Sequence, residues 1–126
     1  MSFPQELLDK LYYYRATLIR VVDADTIEVM IDKGFGDFKG GTRRRKPTLR
    51  LARIDAWEQR GEERPRGLDA TARVKSLFEQ LGPEVIIHTV EEDNFGRWLA
   101  EVWLADGTNL SNLLLQEGHA ELYKGR

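Results

Sequence analysis

Residues 15–31 read RATLIRVVDADTIEVMI, and this stretch decides the fold. Branched aliphatic residues and threonine, which favour extended backbone, lie on both sides of the triplet Asp23-Ala24-Asp25. Aspartate is common in tight turns because its short side chain can hydrogen-bond the nearby backbone. The stretch therefore predicts two strands joined by a tight hairpin turn that carries two carboxylates.

Further strands are predicted along the rest of the chain. Residues 48–54, 85–90 and 98–104 are again rich in apolar and β-branched side chains. Residues 119–123 are predicted to return as a short closing strand. Residues 33–47, which are Gly-rich and basic, predict a long inserted loop before the third strand, called the basic loop below.

Three segments are predicted to be helical. The first is an N-terminal helical extension at residues 1–14. The second follows the third strand, and the third is a Leu-rich segment near the end of the chain. The residues that mark their starts and ends are Ser2, Pro65, Gly82, Pro83, Thr108 or Asn109, and Gly118. Five strands with a helix after the third predict a mainly β, α+β fold. Its form is a partly open, five-stranded barrel of the oligonucleotide/oligosaccharide-binding (OB-fold) type with two to three helices.

Composition and length exclude several classes of protein. The chain has 126 residues, the length of one domain, and we expect residues 1–126 to form a single OB-fold domain. The absence of cysteine excludes disulfides, thiolate metal sites and cysteine nucleophiles. No apolar run approaches the length of a membrane-spanning helix, and charged residues interrupt the first twenty positions. We therefore expect a cytoplasmic protein without a membrane partner. We also expect it to be a monomer.

Charge is unevenly distributed, although the formal net charge is only −2. Residues 38–54 contain no acid and seven bases, which are Lys39, Arg43, Arg44, Arg45, Lys46, Arg50 and Arg53. Such a run can neutralise nucleic-acid phosphates, and we assign this role to its part inside the basic loop. That part consists of Arg43, Arg44, Arg45 and Lys46. A solvated loop explains the same run equally well, and contact with a protein partner is a third explanation.

Other charged residues stand near strand ends, where they can meet. Asp25 lies in the hairpin turn, and Arg50 and Asp55 lie in and after the third strand. Two carboxylates and a backbone carbonyl near Asp55 are oxygen ligands of the kind that calcium takes. Arg50 and Arg97 can grip a phosphate as it gains charge, and Glu58 can orient or deprotonate a water. From composition alone, an ion-pair network between surface loops is the more common explanation.

Four motifs resemble those of the staphylococcal nuclease (thermonuclease) family, and they occur in the family's order. They are Val-Val-Asp-Ala-Asp-Thr at 21–26, Arg-Leu-Ala-Arg-Ile-Asp-Ala-Trp-Glu at 50–58, Asp-Asn-Phe-Gly-Arg-Trp-Leu-Ala at 93–100 and Gly-His-Ala at 118–120. The resemblance implies a Ca²⁺-dependent nuclease that hydrolyses phosphodiester bonds of DNA, RNA or both with low sequence specificity. The alternative is a catalytically weak or inactive nucleic-acid-binding OB-fold module.

The resemblance also implies roles for single residues. Asp25 and Asp55 would be calcium ligands, and the main-chain carbonyl of Ala56 would be a third. Arg50 and Arg97 would hold the scissile phosphate.

Three positions depart from the family's pattern. Ala24 replaces the glycine that is usual between the two aspartates. Trp57 replaces the proline that is usual before Glu58, the implied general base. Phe95 replaces a tyrosine and can still stack on a nucleic-acid base while lacking the hydroxyl.

Overall fold

The computed structural model of the chain describes residues 2–35, 37–39, 48–92 and 98–124. The strands in these ranges are β1 (Tyr13–Asp23), β2 (Thr26–Asp32), β3 (Asp37–Lys39), β4 (Thr48–Leu51), β5 (Ile54–Ala56), β6 (Glu84–Glu92), β7 (Trp98–Trp103) and β8 (Ala120–Leu122). The helices are α1 (Gln5–Leu8), α2 (Arg64–Leu81) and α3 (Leu110–Gln116), and a 3-10 turn covers Gly61–Glu63. Within the same ranges, no helix is long and apolar enough to cross a membrane.

Five strands close into a barrel in the order β1-β6-β7-β4-β2, with β2 returning to β1. β4 and β7 are parallel, and the other neighbouring pairs are antiparallel. The predicted α+β class and five-stranded OB-fold barrel are therefore confirmed, and the barrel is closed rather than partly open. Closure depends on β1, which has 11 residues and pairs with both β6 and β2. Register shifts between Leu18 and Arg20 and between Val21 and Asp23 mark bends of the β-bulge kind along this strand.

The core fills the barrel and the spaces beneath α2 and α3. Fully buried side chains of the barrel strands include Ile27, Val29, Leu49, Leu51, Ile87 and Val102. The helices add Ala70, Val74, Leu77, Phe78, Leu110 and Leu114. Burial of these apolar side chains fixes both helices on the barrel, so that loops next to them have defined positions.

Two segments differ in detail from their predicted form. Within the predicted extension of residues 1–14, the helix covers only Gln5–Leu8, and Leu7 and Leu11 stay exposed. One turn without a buried face gains little from packing, so the helix does not propagate. Within the basic loop, Asp37–Lys39 forms β3 against β2. Three residues are too few for a periodic pattern to reveal a strand.

The closing strand predicted at residues 119–123 is present as β8, but it pairs with β5 outside the barrel. β5 leaves the barrel because the chain turns sharply after β4, where Arg53 has a left-handed backbone with φ of 71°. The resulting two-stranded sheet places the segment after β5 next to the end of α3.

Candidate active site

The carboxylate of Asp25 is buried at the hairpin turn between β1 and β2. Its Oδ1 accepts a hydrogen bond from Thr26 Oγ1 at 3.1 Å, and its Oδ2 accepts one from the backbone N–H of Ala56 at 3.0 Å. The backbone carbonyl of Asp25 accepts from the N–H of Leu51 at 2.8 Å. Because a buried carboxylate needs such donors, these bonds tie the turn to both β4 and β5.

Arg50 joins Asp25 to Asp55. It lies in β4 opposite Thr26 of β2, and 12% of its side chain is exposed. Its Nη1 lies 3.3 Å from Asp25 Oδ2, and its Nη2 donates to Asp55 Oδ1 at 2.9 Å. Its Cζ lies 5.8 Å from the centre of the Tyr123 ring. A guanidinium has several N–H groups in one plane, so this pairing leaves donors for a further anion.

The oxygen atoms available at Asp25, Asp55 and the backbone beside them fit a hard cation. Both side chains supply oxygen, and Arg50 holds them at the two terminal nitrogens of one guanidinium. Ala56, whose N–H bonds Asp25, brings a backbone carbonyl in the same segment. The described ranges contain no group of three His, Cys, Asp or Glu side chains that could hold a metal. A cation would therefore need the two carboxylates, a carbonyl and water, an oxygen set that suits Ca²⁺ or Mg²⁺ and not zinc.

Glu58 is exposed and follows β5, and its neighbours fix its backbone. Gly67 of α2 packs directly on this backbone, since a Cβ built on Gly67 would lie 2.1 Å from the carbonyl oxygen of Glu58. The side chain of Gln59 donates hydrogen bonds to Asp23 Oδ1 and, at 3.5 Å, to the carbonyl of Val22. The segment that carries Glu58 is thus held between α2 and the hairpin.

Trp57, which stands where the family's pattern has proline, anchors the same segment. Its Nε1 donates to the carbonyl of Gly118 at 2.8 Å, and its backbone N–H donates to the carbonyl of His119 at 3.4 Å. The Cζ of Arg66 lies 3.5 Å from the centre of the Trp57 ring, a cation–π contact. Trp57 therefore secures the backbone beside Glu58 through contacts that proline would not make.

The family model of staphylococcal nuclease homologues matches residues 48–126, more than half of the chain. The chain belongs to this family. Two curated relatives, from Escherichia coli O157:H7 and Escherichia coli, are each described as an uncharacterized endonuclease. Each is 32% identical to this chain over 107 residues, which is 85% of this chain and 60% of the relative. The chain thus spans less than two thirds of the length of these relatives.

In this staphylococcal nuclease homologue, the structure brings together four of the predicted site residues. Glu58 lies two positions after the last of them, Ala56. The four are Asp25, Arg50, Asp55 and Ala56. The other predicted site residues lie outside the described ranges: Arg43, Arg44, Arg45, Lys46, Phe95 and Arg97. The residues that match the family model begin at β4, and hydrogen bonds from β4 and β5 connect them to the hairpin that carries Asp25.

Arg53 supports the site of this nuclease homologue in a way that sequence reasoning misses. Its guanidinium donates to Glu101 Oε2 at 2.6 Å and Oε1 at 2.8 Å, and to Asn112 Oδ1 at 2.9 Å. Burial acts to raise the pKa of Glu101, but hydrogen bonds from Arg53 and Asn109 hold this pKa below its ordinary value. In the sequence, Arg53 belongs to an acid-free basic run, and nothing local indicates partners about fifty residues away.

Arg53→Ala should be less stable than Arg53→Gly by about 1 kcal/mol. Both changes remove the bonds to Glu101, but glycine adopts φ of 71° without the steric penalty that a Cβ imposes there. Urea unfolding of the two variants measures the difference. Arg73→Ala is the control, because Arg73 forms a surface pair with Glu117 from ordinary helical backbone and should have a small effect. Equal stability of the two Arg53 variants would show that the left-handed turn is not strained.

Proposed function

We propose that this chain is a Ca²⁺-dependent nuclease that hydrolyses phosphodiester bonds of DNA, RNA or both with low sequence specificity. The observation that carries the proposal is the cluster in which Arg50 joins the buried carboxylate of Asp25 to the exposed carboxylate of Asp55. Membership of the family and the endonuclease descriptions of both relatives support it. We also propose that residues 1–126 act as a single, monomeric domain.

In the proposed reaction, a water oxygen bonds to phosphorus, and the bond from phosphorus to one ester oxygen breaks. Arg50 donates N–H groups to the phosphate as its negative charge grows, and Arg97 is proposed as the second such donor on the basis of the resemblance. Glu58 accepts a proton from the attacking water, and the departing ester oxygen receives a proton from solvent. Contacts to phosphate carry no sequence information, which supports low specificity.

We assign the cation to the carboxylates of Asp25 and Asp55 and the carbonyl of Ala56. Ca²⁺ held there would polarise the phosphate and stabilise the charge that develops on it. Asp55 keeps 54% of its side chain exposed, so water molecules can complete the coordination. The resemblance to the family favours Ca²⁺ over Mg²⁺, and the larger, looser coordination of Ca²⁺ tolerates two carboxylates, a carbonyl and water without near-ideal octahedral geometry.

Cleavage is expected to stop in excess chelator, to return fully with Ca²⁺ and to return only weakly with Mg²⁺. The loss of supercoiled plasmid and the shortening of a labelled single-stranded RNA measure it on both nucleic acids. Cleavage that continues undiminished in excess chelator would contradict the role of the cation.

Glu58→Gln separates catalysis from binding in the same assays. It should lower turnover about 100-fold and leave oligonucleotide binding unchanged, because it removes a proton acceptor while keeping size. Glu62→Gln, in the neighbouring 3-10 turn, is the matched control and should behave like the parent. Binding of oligonucleotide without any Ca²⁺-supported cleavage by the parent would identify the inactive binding module instead.

The basic loop and Phe95 complete the proposed contact with nucleic acid. Positive charge at Arg43, Arg44, Arg45 and Lys46 would neutralise backbone phosphates, which favours every sequence alike. Phe95 would stack on a base near the scissile phosphate. Both assignments rest on charge, residue type and the resemblance.

A further inference from the structure

We propose that Arg66, stacked on Trp57, binds a second, non-scissile phosphate of the nucleic-acid strand. This inference rests on the proposed nuclease function and extends its substrate site by one phosphodiester. The argument begins with the 3.5 Å separation between the Arg66 Cζ and the centre of the Trp57 ring. At this distance the cation is in contact with the face of the indole.

The indole is a fixed platform for the guanidinium. Its Nε1 donates to the carbonyl of Gly118 at 2.8 Å, and the Trp57 backbone N–H bonds the carbonyl of His119. Because Trp57 is half-buried and tied at two points, Arg66 loses little further freedom when it binds an anion. A stacked arginine is therefore more preorganised than an arginine that extends freely into solvent.

The guanidinium of Arg66 is free to bind an anion. Arg66 is exposed, and among the described residues no carboxylate pairs with it and no acceptor bonds its side chain. Arg50 and Arg53 differ from Arg66 in this respect, since Arg50 bonds Asp55 and Arg53 bonds Glu101. Stacking through the face of a guanidinium leaves its edge, with N–H groups in matching pairs, available to phosphate oxygens.

Arg66 is also in the right place for a neighbouring phosphate. It precedes Gly67, which packs on the backbone of Glu58, and its platform Trp57 directly precedes Glu58 in sequence. It lies in the first turn of α2, an 18-residue helix whose N-terminal end favours negative charge. A nucleic-acid strand whose scissile phosphate contacts Arg50 would therefore pass the guanidinium of Arg66 on the Glu58 side of the site.

The chemistry of this subsite selects an anion rather than a base. Arg66 covers the face of Trp57 with which it stacks, so that face does not accept a nucleobase. A phosphodiester matches the planar fork of arginine, and its contact would be independent of sequence. A carboxylate of a protein partner has related geometry, but the adjacent proposed cleavage site favours the phosphate.

Arg66→Gln tests the subsite without relying on cleavage. Binding of a fluorescent ten-nucleotide oligothymidylate is measured in excess chelator over a range of salt concentrations. Loss of one phosphate contact should weaken binding about tenfold and reduce the log–log salt slope by about 0.7. Lys75→Gln, which removes one positive charge from the exposed surface of the same helix, should keep the parent's slope.

A second measurement distinguishes phosphate binding from an effect on Glu58. With Ca²⁺ present, Arg66→Gln should raise KM for the oligonucleotide about tenfold and leave kcat and KM unchanged for a nitrophenyl ester that has a single phosphodiester. Reduced turnover of the ester would overturn the subsite, because Arg66 would then act by positioning Glu58. An unchanged salt slope, or no binding of the oligonucleotide by the parent, would also overturn it.

Two further outcomes separate this inference from the proposed function. If the parent cleaves nothing but Arg66→Gln still loses the salt-dependent contact, the subsite stands and the nuclease proposal fails. If Arg66→Gln binds the oligonucleotide as the parent does but loses binding to polyglutamate, the subsite is overturned in favour of an acidic protein partner.

Discussion

Gly67→Ala is expected to lower the free energy of unfolding by about 3 kcal/mol. The added Cβ would lie 2.1 Å from the carbonyl oxygen of Glu58, 2.4 Å from its carbonyl carbon and 2.7 Å from the nitrogen of Gln59. All three are backbone atoms, so no side-chain rotation relieves the clash. Either α2 moves outward or the segment carrying Glu58 moves, and turnover should fall together with stability. Urea unfolding and plasmid cleavage, measured on the same preparation, check both effects.

The sign of this effect makes the test specific. Inside a helix, replacement of glycine by alanine ordinarily stabilises by about 0.5 to 1 kcal/mol, because alanine loses less backbone entropy on folding. Helix propensity and the close contact at Gly67 therefore predict opposite outcomes. Asp69→Ala, at an exposed position two residues further on, provides the control and should be neutral or slightly stabilising. A Gly67→Ala protein as stable as the parent would show that α2 does not approach Glu58 this closely.

Arg50→Lys is expected to lower turnover by about 100-fold to 1,000-fold. Lysine keeps the positive charge near Asp25, so the fold should survive, but it lacks the planar fork that meets Asp25 and Asp55 together. Single-turnover cleavage of a labelled oligonucleotide measures the loss of the chemical step.

Arg50→Gln should lower the free energy of unfolding, because it leaves the buried Asp25 without its ion-pair partner. Removing one member of a buried pair typically costs about 3 to 5 kcal/mol, and the 12% exposure of Arg50 places the expected loss at the lower end, about 3 kcal/mol.

For the Arg50→Lys prediction, Arg73→Lys, in the surface pair with Glu117, controls for a general effect of losing a guanidinium. Parent-like turnover in Arg50→Lys would assign Arg50 a purely structural role.

Local sequence patterns predict the hairpin and the long helix because their signals lie inside the elements themselves. The two extended runs around Asp23-Ala24-Asp25 form β1 and β2, and the helix predicted from Pro65 ends at Leu81 before the glycine and proline that follow. Asn109, one of the two caps predicted for the last helix, accepts a hydrogen bond from the N–H of Asn112 at 3.0 Å. Each of these features depends on residues only a few positions apart.

The closure of the barrel and the supports of the site depend on distant partners, which local patterns do not encode. The parallel pairing of β4 with β7 joins residues about fifty positions apart, and so does the bond from Arg53 to Glu101. Gly67 carries a weak local signal, since a lone glycine in a helical pattern often marks close packing. Its contact with Glu58 becomes visible only when α2 is placed against the segment after β5.

If the proposed nuclease function holds, the bonds of Asp25 restrict how this domain can lose that activity during evolution. Its side chain bonds Ala56 and pairs with Arg50, and its carbonyl accepts the N–H of Leu51, so a change at Asp25 disturbs the seam between the hairpin and its neighbouring strands. Glu58 is exposed, and its side chain bonds no other described residue, so its loss spares the framework. In a lineage where this domain loses catalysis and only binds nucleic acid, we therefore expect Glu58 to be substituted early. Asp25 should be retained because the fold depends on it.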